Sequence, residues 1–246
     1  MIVTLAERIS DSPYIEAVSQ GYTAGDGSTI RPAETNWHMI LQRHQGNTQM
    51  LMVGPLTTSA PIHWQGGGEM LWLRFRLGVF MPHLPLKEYT DSEASLPIAG
   101  SERFWLKSSA WQFPDYENVE TFVEQLVKTE ILVCDSLIPT VMQDQPAYFS
   151  PRTVRHRFLQ ATGLSQNQVR QINRAQVAAM MLKQGVSILD TVDDLGYFDQ
   201  PHLTRSLRQW VGYTPAQLYR SDIDCHFIQD PALWPDYTAK VPERVR

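Results

Sequence analysis

The sequence is poor in cysteine: Cys134 and Cys225 are the only two, far apart and with no neighbouring thiol. A disulfide framework and a thiolate zinc site are both excluded on that count, and a reducing compartment such as the cytoplasm is expected. No apolar run approaches the roughly 18 residues that a membrane-spanning helix needs. Glu7 and Arg8 interrupt the apolar opening too early for a secretory signal. Signatures of catalysis are missing as well. No serine sits in a G-x-S-x-G elbow, and Cys134 has no evident activating partner. Gly66-Gly67-Gly68-Glu69 lacks the Lys-Ser/Thr of a phosphate loop and reads as a turn. The chain is therefore expected not to be an enzyme and to carry no cofactor.

What is present is a chain of 246 residues, 43% hydrophobic and 19% charged, able to bury a sizeable core. Its net charge of −5 conceals an asymmetry. Residues 1–145 hold 9 Lys+Arg against 17 Asp+Glu (net −8), residues 146–223 hold 9 against 5 (net +4), and residues 224–246 hold 3 against 4 (net −1). An acidic front and a basic rear imply two domains with different partners, the rear one a candidate for a polyanion.

The two regions also differ in periodicity. From Thr35 to Phe80, short stretches rich in aromatic and branched residues are separated by turn signals at Gln45-Gly46-Asn47, Gly54-Pro55 and Gly66-Gly67-Gly68. Leu71, Leu73, Phe75 and Leu77 alternate with Trp72, Arg74 and Arg76, the period of a strand with one buried face. Residues 81–115 carry Pro82, Pro85, Pro97 and Pro114 and read as loops. A helix is expected over 117–133, with Val119, Phe122, Val123, Leu126 and Val127 as its apolar stripe, either covering its own sheet or forming a dimer interface.

From Cys134 to Tyr219 the pattern is helical. In FSPRTVRHRFLQATG (149–163), Ser150 and Pro151 specify a helix start and Gly163 its end. Val154 and Phe158 share one face, with Arg152, Arg155 and His156 opposite. A short helix with an apolar seam and a cationic outer face suits the major groove, where arginine makes bidentate bonds to guanine. Residues 187–212 repeat the theme. Ile188, Val192 and Leu195 seam one helix, Gly196 breaks it, and a second is lined by Leu203, Leu207, Trp210 and Val211, with Arg205 and Arg208 outward. Between the two units, residues 166–184 form a helix of roughly 28 Å at ~1.5 Å per residue. That length would hold two reading helices about one DNA turn apart.

The run SPRTVRHRF (150–158), Thr162-Gly163-Leu164-Ser165, Arg174, Ala178, Leu182, Ser187-Ile188, Gly196-Tyr197, Asp199, Leu203, Arg205, Leu207 and Gly212-Tyr213-Thr214-Pro215 resembles the AraC/XylS-type DNA-binding domain over residues 135–220. The resemblance implies seven helices, with two helix–turn–helix motifs joined by a linker helix and contacting successive major grooves of double-stranded operator or promoter DNA. Carried over by position, Arg152, Arg155 and His156 match base-facing positions of the first recognition helix, and Gln200, Thr204 and Arg205 those of the second. Arg208 is placed for phosphate, and Arg174 matches a structural arginine of the linker. The chain departs from the pattern at Thr191-Val192, where an apolar residue and alanine are usual, and at Leu203 and Leu207, where phenylalanine is usual. It also departs after Pro215. With Asp190, Asp193 and Asp194 on the supporting helix, base reading is expected to rest mainly on the first motif.

A strand-rich domain ahead of such a region is similar to the cupin-like sensor of full-length family members. The fold class expected is α+β: an antiparallel β-barrel or cupin-like domain over 1–133 for sensing or dimerisation, an all-α DNA-binding domain over 134–222, and a tail over 223–246. The resemblance implies a transcription regulator acting as a homodimer, with a small-molecule effector of unknown identity and RNA polymerase as further partners. His38, His44 and His63 with Glu69 do not form the His-x-His arrangement of a metal-binding cupin, so no metal is expected. Two other readings stand beside this one: a cupin-like small-molecule enzyme, and a protein-interaction module that has lost DNA contact.

Overall fold

The computed structural model describes residues 2–220, so the tail expected at 223–246 lies outside the described residues. The chain forms two compact units. The first comprises the chain up to Ser28, Asn36–Pro55 and His63–Ser165; the second comprises Thr29–Thr35, Leu56–Ile62 and the chain from Gln166.

Strands come first: β1 (Ile2–Ile9), β2 (Ile15–Thr23), β3 (Gly27–Arg31), β4 (His38–His44), β5 (Asn47–Val53), β6 (Ala60–Trp64), β7 (Glu69–Phe75) and β8 (Val79–Phe80). After a 3-10 turn at Leu86–Tyr89 come β9 (Glu93–Leu96), β10 (Ile98–Gly100), β11 (Arg103–Leu106) and β12 (Ser109–Gln112). Helix α1 (Val119–Lys128) precedes β13 (Val133–Cys134), and six more helices follow: α2 (Leu137–Met142), α3 (Pro151–Thr162), α4 (Gln166–Lys183), α5 (Ile188–Leu195), α6 (Gln200–Trp210) and α7 (Pro215–Leu218).

The first unit is built on an antiparallel sheet in the order β1-β2-β7-β4-β5-β9. Its edge strands β1 and β9 do not pair, so the sheet is open and the expected barrel is not closed. The strands also reach beyond the expected span: β1, β2 and β9 join the sheet, and β10-β11-β12 form a meander in the proline-rich stretch. Pro82, Pro85, Pro97 and Pro114 all fall between strands, where a missing N–H breaks no ladder.

In β7 the alternation is as the sequence predicts. Leu71, Leu73 and Phe75 are buried and Met70, Trp72 and Arg74 partly covered. Leu77 leaves the pattern because the chain turns at Gly78, whose φ is 94°. Arg74 is not a solvated outer residue: it lies 3.2 Å from the Glu16 carboxylate, which also accepts from Asn36 Nδ2 at 3.0 Å. The core contains Trp37 stacked on Phe75 at 4.0 Å, with the indole N–H donating to the Val79 carbonyl at 2.7 Å.

Helix α1 is shorter than the expected 117–133, ending at Lys128, and Ile131 and Leu132 bury beyond it. Its stripe of Val119, Phe122, Val123 and Leu126 is buried in its own unit, where Phe122 meets Phe104 and Trp111 edge-on at 6.2 Å. That stripe is internal packing and is not free to form a dimer interface. Arg8 of β1 fixes α1 from the other side, donating to Glu120 at 2.8 Å and stacking over Tyr116 at 5.0 Å.

Six helices lie between residues 137 and 218, where the resemblance implies seven. Between α2 and α3 the run Gln143-Asp144-Gln145-Pro146-Ala147 has Asp144 at φ 57° and a proline two residues on, and it carries no apolar stripe. That run is not helical in the structure, so the implied second supporting helix is not seen there. Among the described residues, no helix is long and apolar enough to cross a membrane.

Candidate nucleic-acid interface

Helix α3 belongs to the first unit. Ser150 caps it, its hydroxyl accepting from the Thr153 N–H at 3.2 Å, Pro151 opens it, and Gly163 closes it at φ 73°. Phe158, Ala161 and Thr162 are buried and Val154 is half-buried. Arg152, Arg155 and His156 are all exposed on the opposite side, which brings the three residues predicted from sequence onto one cationic face. Their neighbour Arg157 has a different task. Its guanidinium donates to Asp135 at 2.8 Å and lies over the Phe149 ring at 4.8 Å, and the Asp135 carboxylate raises its pKa further. Arg157 therefore ties α3 to the chain before α2.

Helices α4 to α7 belong to the second unit. Their core holds Ala175, Ala178, Ala179, Leu182, Val192, Leu203 and Leu207. The alanines let α4 approach closely, and Leu203 and Leu207 of α6 are fully buried against it. Thr191 is fully buried, yet its hydroxyl donates to the carbonyl of the α5 cap residue Ser187 at 2.9 Å, so its polar atom is satisfied.

The turn between α5 and α6 is fixed by named contacts. Ser187 caps α5, accepting from the Asp190 N–H at 3.1 Å, and Gly196 ends it at φ 66°. Asp199 caps α6, accepting from the His202 N–H at 2.7 Å. Arg174 of α4 lies 4.2 Å over the Tyr197 ring and reaches the Gly196 carbonyl at 3.4 Å. Tyr197 is buried, with its hydroxyl 3.1 Å from that of Ser206, and burial pushes its pKa up, so it stays a neutral phenol.

On α6, Gln200, Arg205 and Arg208 are exposed and Thr204 is half-buried. At 100° per residue, Gln200, Thr204 and Arg208 follow one ridge with Arg205 beside it. The two predicted sets thus lie on two helices, one in each unit.

The four residues weighed for a metal in the front region do not converge. His38 is buried, His44 lies 3.0 Å from the Gly66 carbonyl, and His63 and Glu69 are exposed on different strands. Among the described residues, no group of three His, Cys, Asp or Glu side chains is placed to hold a metal ion.

Sequence reasoning missed the part played by Asp135 and Arg157, and, within the second unit, by Ser59, which bonds to carbonyls at the end of α6, and by Gln176 of α4, which bonds to the Ala33 carbonyl. Gln176 left one signal: it is a polar residue on the buried side of α4.

Residues 146–221 match a family model described as a helix-turn-helix domain. Comparison with curated proteins and with solved structures finds no match. The match covers α3 to α7, so the rear of the chain is a helix–turn–helix domain of the kind found in DNA-binding regulators.

Proposed function

We propose that this chain is a sequence-specific regulator of transcription of the AraC/XylS type, reading double-stranded operator DNA with α3 and α6. The observation that carries the reading is the pair of capped helices, each burying an apolar seam and exposing cations on the opposite face, inside the helix–turn–helix match. Arg152, Arg155 and His156 read bases from α3; Gln200, Thr204 and Arg205 do so from α6, and Arg208 engages phosphate. Residues 134–222 act as the DNA-binding domain and residues 1–133 as the sensing or dimerising one. The chain works in the cytoplasm as a homodimer, without catalysis.

An effector would find room in a groove of about 320 Å³ on the first unit's sheet, lined by Gln20, Tyr22, Leu41, Arg43, Glu69 and Tyr116 among others. Exposed Leu189 on α5 and Phe198 in the following turn, 69% and 90% accessible, favour a protein partner beside the DNA, for which RNA polymerase is the reading.

The test is selection of bound fragments from a random duplex library, followed by titration with salt. A single consensus is expected, and log affinity should fall with log salt by about 0.9 per phosphate contact. A flat salt response at the selected fragment overturns the reading.

A further inference from the structure

An α-helix leaves its last four carbonyls without intrahelical partners. In α6 these belong to Leu207, Arg208, Gln209 and Trp210. The Leu207 carbonyl accepts from the Val211 and Gly212 N–H groups at 2.8 and 2.9 Å, an ordinary local closure. The other three are served from far away in the sequence. Ser59 Oγ donates to Arg208 O at 3.2 Å and to Gln209 O at 3.1 Å, and the Ser59 N–H donates to Gln209 O at 2.9 Å. The Ala33 N–H donates to Trp210 O at 2.7 Å.

Ala33 is pinned on its other side as well, because its carbonyl accepts from Gln176 Nε2 of α4 at 2.6 Å. One fully buried residue, through its N–H and its carbonyl, thus joins α4 to the end of α6. The two segments that supply these groups are tied together, with Glu34 and Leu56 exchanging both backbone hydrogen bonds at 2.9 and 2.8 Å. They also close over Gly212: a Cβ there would lie 2.4 Å from Ile30 Cγ2, so no larger residue fits beneath them.

We infer that Ala33 and Ser59, with Gln176 behind them, are positioning residues for base reading by α6. They fix the end of the helix that carries Thr204, Arg205 and Arg208, and so make its contacts depend on two segments of the front region. The inference rests on the reading of α6 as a DNA-contacting helix.

Full-length Ser59→Ala, Ser59→Thr and Gln176→Leu would be compared with the wild type by library selection and by amide hydrogen exchange. Ser59→Ala is expected to weaken the best site about two- to tenfold, the scale of one lost hydrogen bond. The loss of base preference should fall only at positions that Thr204→Ala and Arg205→Ala also relax, leaving those relaxed by Arg155→Ala unchanged. Ser59→Thr, which keeps the hydroxyl, should restore the preference, and Gln176→Leu should reproduce the loss through Ala33. Uniform weakening at every position, or no change in preference, overturns the inference. A wild-type chain that selects no sequence removes the DNA reading itself. Exchange then decides the anchor alone: slow exchange at Ala33 and Ser59, with residues 209–212 exchanging faster in Ser59→Ala, retains it, and fast exchange in the wild type overturns it.

Discussion

Helices α3 and α6 expose the same chemistry and are supported in different ways. Each begins with a side-chain cap and a proline in its first turn, and each turns cations away from a buried seam. At the other end they diverge. Helix α3 closes its last turn with the Gly163 N–H on the Leu159 carbonyl, the Gly163 carbonyl then accepts from Thr90 Oγ1 at 3.4 Å, and Arg157 on Asp135 steadies the helix. Helix α6 has three of its last four carbonyls served by Ala33 and Ser59, from the other half of the sequence. The contrast lies in the last-turn carbonyls: in α6 three of them are bound by groups brought from 149 or more residues away, whereas α3 uses its own C-cap for the Leu159 carbonyl.

The largest expected effects come from emptying the core beneath each helix. Phe158→Ala should cost about 3–5 kcal/mol and Leu207→Ala about 2–5 kcal/mol, measured as urea unfolding free energies. Amide exchange in each variant should show early opening in the unit that carries the change; equal opening in both units would erase the contrast.

Next come the exposed cations. Arg155→Ala should lose roughly 1–3 kcal/mol of binding and relax one base preference. Arg208→Ala should weaken specific and non-specific DNA alike and lower the salt slope by about 1. Competitive binding to an operator library measures both, and loss of specificity in Arg208→Ala alone would reverse the assigned roles.

The N-terminal ends, where the two helices are alike, should behave alike: Ser150→Ala and Asp199→Ala are each expected to cost about 0.5–2 kcal/mol in thermal or urea unfolding.

The smallest effect is an acid one confined to the first unit. Arg8 and Ser10 hydrogen bonds hold the Glu120 carboxyl at about 2, below its ordinary 4.5. A depressed carboxylate stabilises the fold fully above its unfolded value, and that contribution is lost as pH falls from about 4.5 through about 2. Urea midpoints over that range should fall for the wild type and be flatter for Glu120→Gln.

Much of α3 was readable because its determinants are adjacent: Ser150, Pro151, the Val154/Phe158 seam and Gly163 lie within fourteen residues. Strand β7 was readable for the same reason, its alternation surviving from Leu71 to Phe75. Strand β2 was not. The register shift beside Glu16 breaks its period, and Ile15, Glu16, Ala17 and Val18 are buried in succession. The open edge of the sheet was invisible too, since closure depends on whether β1 and β9 meet and not on the pattern within either strand. Nor could local pattern show that Ser59, in a turn-like stretch, completes a helix that begins at Gln200.

Loop closure grows only logarithmically with length, so the reach from Ser59 to Arg208, 149 residues, adds little to the thermodynamic cost of α6. Its consequence is one of timing. At a synthesis rate of about 5–20 residues per second, the segments at 29–35 and 56–62 leave the ribosome on the order of ten seconds before α6. During that interval the Ala33 and Ser59 donors have no helix end to serve, while every strand of the open sheet has been made once β9 is complete. The last turn of α6 is finished only when that helix meets segments synthesised some 150 residues before it.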